Sequence, residues 1–99
     1  MRVKFLLLVV LSLSLNAWSQ TKVSGKVLDT FNEPIPFANV VFKNSNEGTI
    51  TDENGRFYVE SDATYSTLII SFVGYQTKEL ELDRRTSYDL VIKLEEESS

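Results

Sequence analysis

Gly48-Thr49-Ile50-Thr51-Asp52-Glu53-Asn54-Gly55-Arg56-Phe57-Tyr58-Val59-Glu60 is the stretch whose reading decides the fold. At its centre, Asp52 can bond downstream amides with its own carboxylate, and Asn54-Gly55 supplies residues that tolerate positive φ. Beyond the turn, Phe57 and Val59 alternate with Arg56, Tyr58 and Glu60, a period of two and not of 3.6. A short strand around residues 49–51 leads into the turn. The stretch therefore predicts a β-hairpin, with Phe57 and Val59 inward and Tyr58 and Glu60 outward.

The same period runs outward in both directions. Upstream, Val23, Gly25 and Val27 alternate with Ser24 and Lys26 in a first strand. Residues 37–43 form a second, with Ala38, Val40 and Phe42 on one face. Between them lies a loop in which Pro34 and Pro36 lack amide donors and bias their predecessors away from helix. Downstream, residues 67–73 are nearly continuous apolar and β-branched, which predicts a central strand covered on both sides. Gly74 interrupts that run. Residues 77–82 alternate again, residues 83–86 make a turn, and the last strand sets Tyr88, Leu90, Ile92 and Leu94 on one face. Seven short strands with no helix predict an all-β, antiparallel β-sandwich. Its predicted core is Val23, Val27, Ala38, Val40, Phe42, Phe57, Val59, Leu68, Ile70, Phe72, Leu80, Leu82, Leu90 and Ile92.

Residues 1–19 read differently. Arg2 and Lys4 precede eleven uncharged residues, 5–15, and small residues Ala17 and Ser19 stand where a signal peptidase reads. The expectation is a secretory signal peptide, cleaved after Ser19 to leave Gln20 first. The apolar run is shorter than the roughly 20 residues a membrane-crossing helix needs, so no transmembrane segment is expected in the mature chain. The domain is expected over residues 20–94, with 95–99 an acidic tail or the start of a linker.

Composition narrows the function classes. The 99 residues contain no His and no Cys, which removes the commonest general base, the commonest metal ligand and all thiolate chemistry. Residues 20–99 carry 8 basic and 14 acidic side chains, a net of −6. Nucleic-acid binding needs a basic face and is not expected. No cofactor is expected either.

Taken in order, residues 25–29, 33–40 (Glu-Pro-Ile-Pro-Phe-Ala-Asn-Val), 48–57 (Gly-Thr-Ile-Thr-Asp-Glu-Asn-Gly-Arg-Phe) and 73–75 (Val-Gly-Tyr) resemble the carboxypeptidase-regulatory-like domain. The resemblance spans nearly all of residues 22–94. It implies a transthyretin-like (prealbumin-like) seven-strand Greek-key sandwich. It also implies a non-catalytic context. A domain of this kind directly after a signal peptide resembles the N-terminal extension of TonB-dependent outer-membrane receptors or of other large envelope proteins. The expected location is then the periplasm or outer membrane of a Gram-negative bacterium. The expected partners are downstream receptor domains or other envelope proteins, and the chain is expected to be the N-terminal part of something larger.

Three site readings compete within that frame. Asp52, Asn54 and Glu60 echo the opening of a calcium loop, but Ala63 stands at the twelfth position where a bidentate carboxylate belongs, so a hairpin turn is the better reading. Asp29/Glu33 and Glu79/Glu81 are carboxylate pairs of the kind glycosidases use, yet they sit where turn residues and solvated strand faces sit. The transthyretin-like fold also includes a ureide hydrolase that works through histidines, which this chain lacks. Among Phe31, Phe37, Tyr58, Tyr65 and Tyr75, the rings of Phe37 and Tyr75 are expected to pack at the sandwich ends. Tyr58 is the expected surface aromatic for a protein contact or for stacking on polysaccharide. A freestanding carbohydrate-binding module is the alternative to an accessory domain.

Overall fold

A computed structural model describes residues 20–83 and 86–98. Ala17, Ser19 and the rest of the expected leader lie outside the described residues, as does the Arg84-Arg85 part of the last turn. The seven strands are β1 (Thr21–Leu28), β2 (Asn39–Phe42), β3 (Gly48–Ile50), β4 (Arg56–Ser61), β5 (Thr67–Ser71), β6 (Lys78–Glu81) and β7 (Thr86–Lys93). They form two sheets, β4-β1-β7 and β3-β2-β5-β6. Asp52 and Gly55 close the turn that carries β3 of one sheet to β4 of the other, and β5 returns to pair with β2. That is a Greek key. The architecture is the all-β sandwich that the alternation predicts, with one difference in detail: β1 and β7 pair in parallel, while the other strand pairs are antiparallel.

The core lies between the sheets. Val23, Val27, Ala38, Val40, Phe42, Phe57, Val59, Leu68, Ile70 and Ile92 are buried as predicted. Phe72, Leu80, Leu82 and Leu90 pack against this cluster but are only partly buried. Ile35 and Leu94 complete it, although Ile35 comes from a loop flanked by two prolines. Ile69 is only half-buried and β5 stops at Ser71, leaving Val73 91% exposed. The expectation of a strand over residues 67–73 covered on both faces is thus corrected. The sheet has a core side and a wetter outer side, and β-branched composition alone does not distinguish them.

The second strand is corrected too. Phe37 sits at φ 61° and is exposed, so β2 begins only at Asn39 and Phe37 does not pack at an end of the sandwich. Its neighbours explain why. Thr51 is 1% exposed and every polar group it has is used. Its hydroxyl donates to the Ile35 carbonyl at 2.7 Å and accepts the Ala38 amide at 2.9 Å. Its own amide donates to the Ala38 carbonyl, and its carbonyl accepts the Phe37 amide. One residue thereby satisfies the backbone of the crossover from β1 to β2, turning the Phe37 ring outward while Ile35 and Ala38 face the core.

The C-terminal boundary also differs from expectation. Glu95 accepts the Gln76 amide and Glu97 donates to the Gly74 carbonyl, with Tyr75 bridged to Glu96. Residues 95–97 are therefore docked on the sandwich, not a free tail after Leu94.

Thr51→Val keeps the shape and removes the hydroxyl, stranding a buried amide and a buried carbonyl. It should cost about 2–6 kcal/mol, at about 1–3 kcal/mol per orphaned group, while Thr51→Ser costs much less. Urea unfolding of the two variants beside the parent chain measures the difference.

Candidate functional site

The outer face of the β4-β1-β7 sheet gathers the exposed aromatic residues of regular structure. Alternation sends Val23 and Val27 into the core, so Lys22, Ser24 and Lys26 stand on the other side of β1. The β4 register sets Glu60 opposite Lys22, Tyr58 opposite Ser24 and Arg56 opposite Lys26. Tyr58 is 50% exposed, on the outward side as expected.

On β7 the simple alternation fails. Ser87 aligns with Val23 but Leu90 aligns with Gly25, so β7 fits one extra residue into that interval. Asp89, at φ 58°, is the residue that permits the bulge, and its amide donates to Ser24 Oγ at 3.2 Å. Asp is one of the few non-glycine residues that accept a left-handed backbone. The consequence is a correction to the predicted face of β7. Ile92 and Leu94 remain inward, while Tyr88 is thrown outward, 55% exposed, beside Val91 at 56%. Tyr88 thus joins Tyr58, with Ser24 on the strand between them. Gly25 makes the close approach possible: a Cβ there would lie 2.5 Å from the Leu90 carbonyl oxygen. A shallow groove lined by Gly25, Lys26, Arg56, Asp89 and Val91 runs along this face.

Tyr58 donates its hydroxyl to Glu60 Oε2 at 3.1 Å, two residues along the same strand face. Partial desolvation, then that hydrogen bond and the Glu60 charge, then Tyr88, push the Tyr58 phenol above its ordinary value. Each of these makes the phenolate less favourable. The ring is therefore a neutral hydrogen-bonding surface at physiological pH.

The other aromatic residues fall elsewhere. Tyr65 stacks on Phe42 with ring centroids 4.9 Å apart and donates to Glu47 Oε2, so it is part of the packing. Tyr75 packs beside Phe72 at one end of the sandwich, as expected. Phe31 is exposed on the crossover loop.

The carboxylates have local work. Asp52 Oδ1 accepts the amides of Asn54 and Arg56, and Asp29 Oδ1 accepts those of Phe31 and Glu33. Gly55, at φ 74°, completes the Asp52 turn by donating its amide hydrogen bond to the Asp52 carbonyl. Glu79 pairs with Lys43 at 3.3 Å across the other sheet. Glu47 accepts hydrogen bonds from Ser61 and Tyr65, tying the β2–β3 turn to the end of β4 and the β4–β5 connection. These arrangements organise turns and corners.

Comparison with known proteins supplies a context for this geometry. Residues 23–99 match the family described as the CarboxypepD_reg-like domain. TonB-dependent receptor P39 of Formosa agariphila is 35% identical over 84% of this chain, and TonB-dependent receptor SusC of Bacteroides thetaiotaomicron is 40% identical over 80% of it. The matched region spans 8% of the length of each relative. Among solved structures, a type II cohesin–X–dockerin complex from Acetivibrio cellulolyticus superposes with a TM-score of 0.62 at 22% identity, over 75% of this chain and 56% of the other. Catechol 1,2-dioxygenase from Acinetobacter sp. ADP1 superposes at 0.54 with 10% identity, over 79% of this chain and 53% of the other. Both likenesses are of fold alone.

Glu60→Gln removes the nearby negative charge, so the Tyr58 phenol should titrate lower, toward the ordinary 10.0, without reaching it because the desolvation persists. In linkage terms, a raised phenol value favours the fold fully below the unfolded value and loses that contribution as pH rises through the folded one. Ultraviolet titration of the parent, Glu60→Gln and Tyr58→Phe chains checks the direction and assigns the transition.

Proposed function

Because the chain belongs to the CarboxypepD_reg-like domain family, we propose that it serves as the N-terminal, non-catalytic accessory domain of a TonB-dependent receptor. Its setting is the outer membrane of a Gram-negative bacterium, with the sandwich on the periplasmic side. Its role is to contact neighbouring envelope proteins or the receptor's own downstream parts. Transport belongs to the remainder of such a receptor.

The observation that carries this reading is the agreement among the curated relatives. The two receptors already described and TonB-dependent receptor P26 of Formosa agariphila, 34% identical over 72% of the chain, share one receptor class, and each devotes only 7–8% of its length to this region. The leader-like residues directly before the domain support an N-terminal position. A non-catalytic role is supported by chemistry: the sequence has no His or Cys, and Asp29 and Asp52 bond turn amides, Glu79 pairs with Lys43, and Glu47 accepts from Ser61 and Tyr65.

The exposed Tyr58 and Tyr88 favour one second reading, a freestanding carbohydrate-binding module. Blotting fractionated cells with an antibody raised against residues 20–99 separates the two. An outer-membrane band many-fold larger than the 80-residue domain is expected. A domain-sized band in the soluble periplasm would overturn the receptor assignment and leave the carbohydrate module.

A further inference from the structure

Charge is unevenly divided over this molecule. Of the eight cationic residues in 20–99, Lys22, Lys26 and Arg56 stand on the outer face of β4-β1-β7, and Lys93 is exposed opposite Leu28. Only Glu60 and Asp89, of fourteen carboxylates, accompany them, and Glu60 is engaged by Tyr58. The face is therefore net positive on a net negative domain. Among the described residues, the only ion pair lies on the other sheet, between Lys43 and Glu79, so none of these cations is held in an ion pair. Between them stand Tyr58, Tyr88 and Val91, each at least half exposed. Rigid aromatic side chains with adjacent Arg form the usual energetic centre of a protein interface.

The size and edges of the face restrict what fits. At about 3.3 Å per residue, the eight-residue β1 and β7 give a length of about 26 Å and the six-residue β4 about 20 Å, and three strands spaced about 4.8 Å apart give a width of about 10 Å between outer axes. That is a long, narrow strip, whose shape matches an extended segment better than the broad patch of a standard globular interface. Strand addition along the free edge of β7 is opposed by the Asp89 bulge, which bends the edge, and by the charges of Asp89 and Lys93. At β7, contact then falls on the face and not on the edge.

We propose that the outer face of the β4-β1-β7 sheet docks an extended acidic peptide segment of a partner envelope protein, anchored on Tyr58 and Tyr88 and held by Lys22, Lys26 and Arg56. This deepens the contact role proposed above and rests on it. Carboxylates of the segment meet the cationic rows, and apolar or aromatic side chains meet the tyrosine pair across Ser24. The attraction is long-ranged and screened by salt, while the tyrosines contribute the part that salt does not remove.

The test is an amide-resolved NMR titration of the purified chain with a copolymer of Glu and Tyr, a probe that carries both chemistries. Shifts are expected at Ser24, Lys26, Tyr58, Tyr88 and Val91, weakening as ionic strength rises. The uncharged double change Tyr58→Ala with Tyr88→Ala should weaken binding about tenfold, equivalent to about 1.4 kcal/mol. Lys26→Gln with Arg56→Gln should do the same, and provides the reading if the tyrosine variant does not keep its strand circular dichroism. No shifts, or shifts on the β3-β2-β5-β6 sheet, would overturn the proposal. So would tighter binding of polygalacturonate at this face, which would assign it to an anionic glycan, or concentration-dependent self-association through it. Cell fractionation reads the receptor context and the titration reads the face, so failure of one is distinguishable from failure of the other.

Discussion

A chain that passes from one sheet of a sandwich to the other must cross the end of the core, where every buried amide and carbonyl needs a partner. The segment from Asp29 to Ala38 makes that crossing, and the rest of the fold depends on how it is satisfied. Pro34 and Pro36 lower the demand by removing two donors. Asp29 supplies its carboxylate to the first part of the loop, and Thr51 completes the second part with its hydroxyl and both backbone groups. With that segment fixed, Ile35 enters the core, Ala38 starts the inward row of β2, and β3 is held close enough to turn through Asp52–Gly55 into β4. A single hydroxyl thus helps to fix the crossover between two sheets.

The opposite device governs β1 and β7. There the constraint is space: Gly25 has no side chain, so the Leu90 carbonyl can come close, and the Asp89 bulge takes up the extra residue. This packing detail also moves Tyr88 from the core row to the surface and so assembles the tyrosine pair. Structure and surface chemistry are linked at that one irregularity. In a domain without histidine or cysteine, the recognition chemistry available is of this kind: rings, cations and backbone on a rigid sheet.

The sequence made the strands legible because the two-residue period is strong wherever one face is buried. Ten of the predicted core residues are buried for that reason, and the Asp52-Glu53-Asn54-Gly55 turn reads directly from its residue types. The misses have physical causes. Ile35 lies in a loop, where no period announces burial. Tyr88 obeys the period only up to a bulge, and Asp89, although of a type that accepts left-handed geometry, reads equally well as an outward polar residue of a strand. Phe37 looks like the start of a strand because a crossover residue in left-handed geometry has no composition signal of its own. The three glutamates at 95–97 suggest solvation, yet they pair through backbone groups, which side-chain identity does not reveal. Tyr58 was legible as a surface ring from parity alone; its companion was not.

The parallel pairing of β1 with β7 has a mechanical consequence. The two strands run the same way, side by side, with the docked residues 95–97 extending beyond β7. Tension applied between Thr21 and Glu97 draws the two strands along each other in opposite senses. The bonds of the ladder then bear the load together as a shear, and do not open one after another as the teeth of a zip do. A ladder loaded in shear resists stretching between its ends better than the same ladder loaded as a zip.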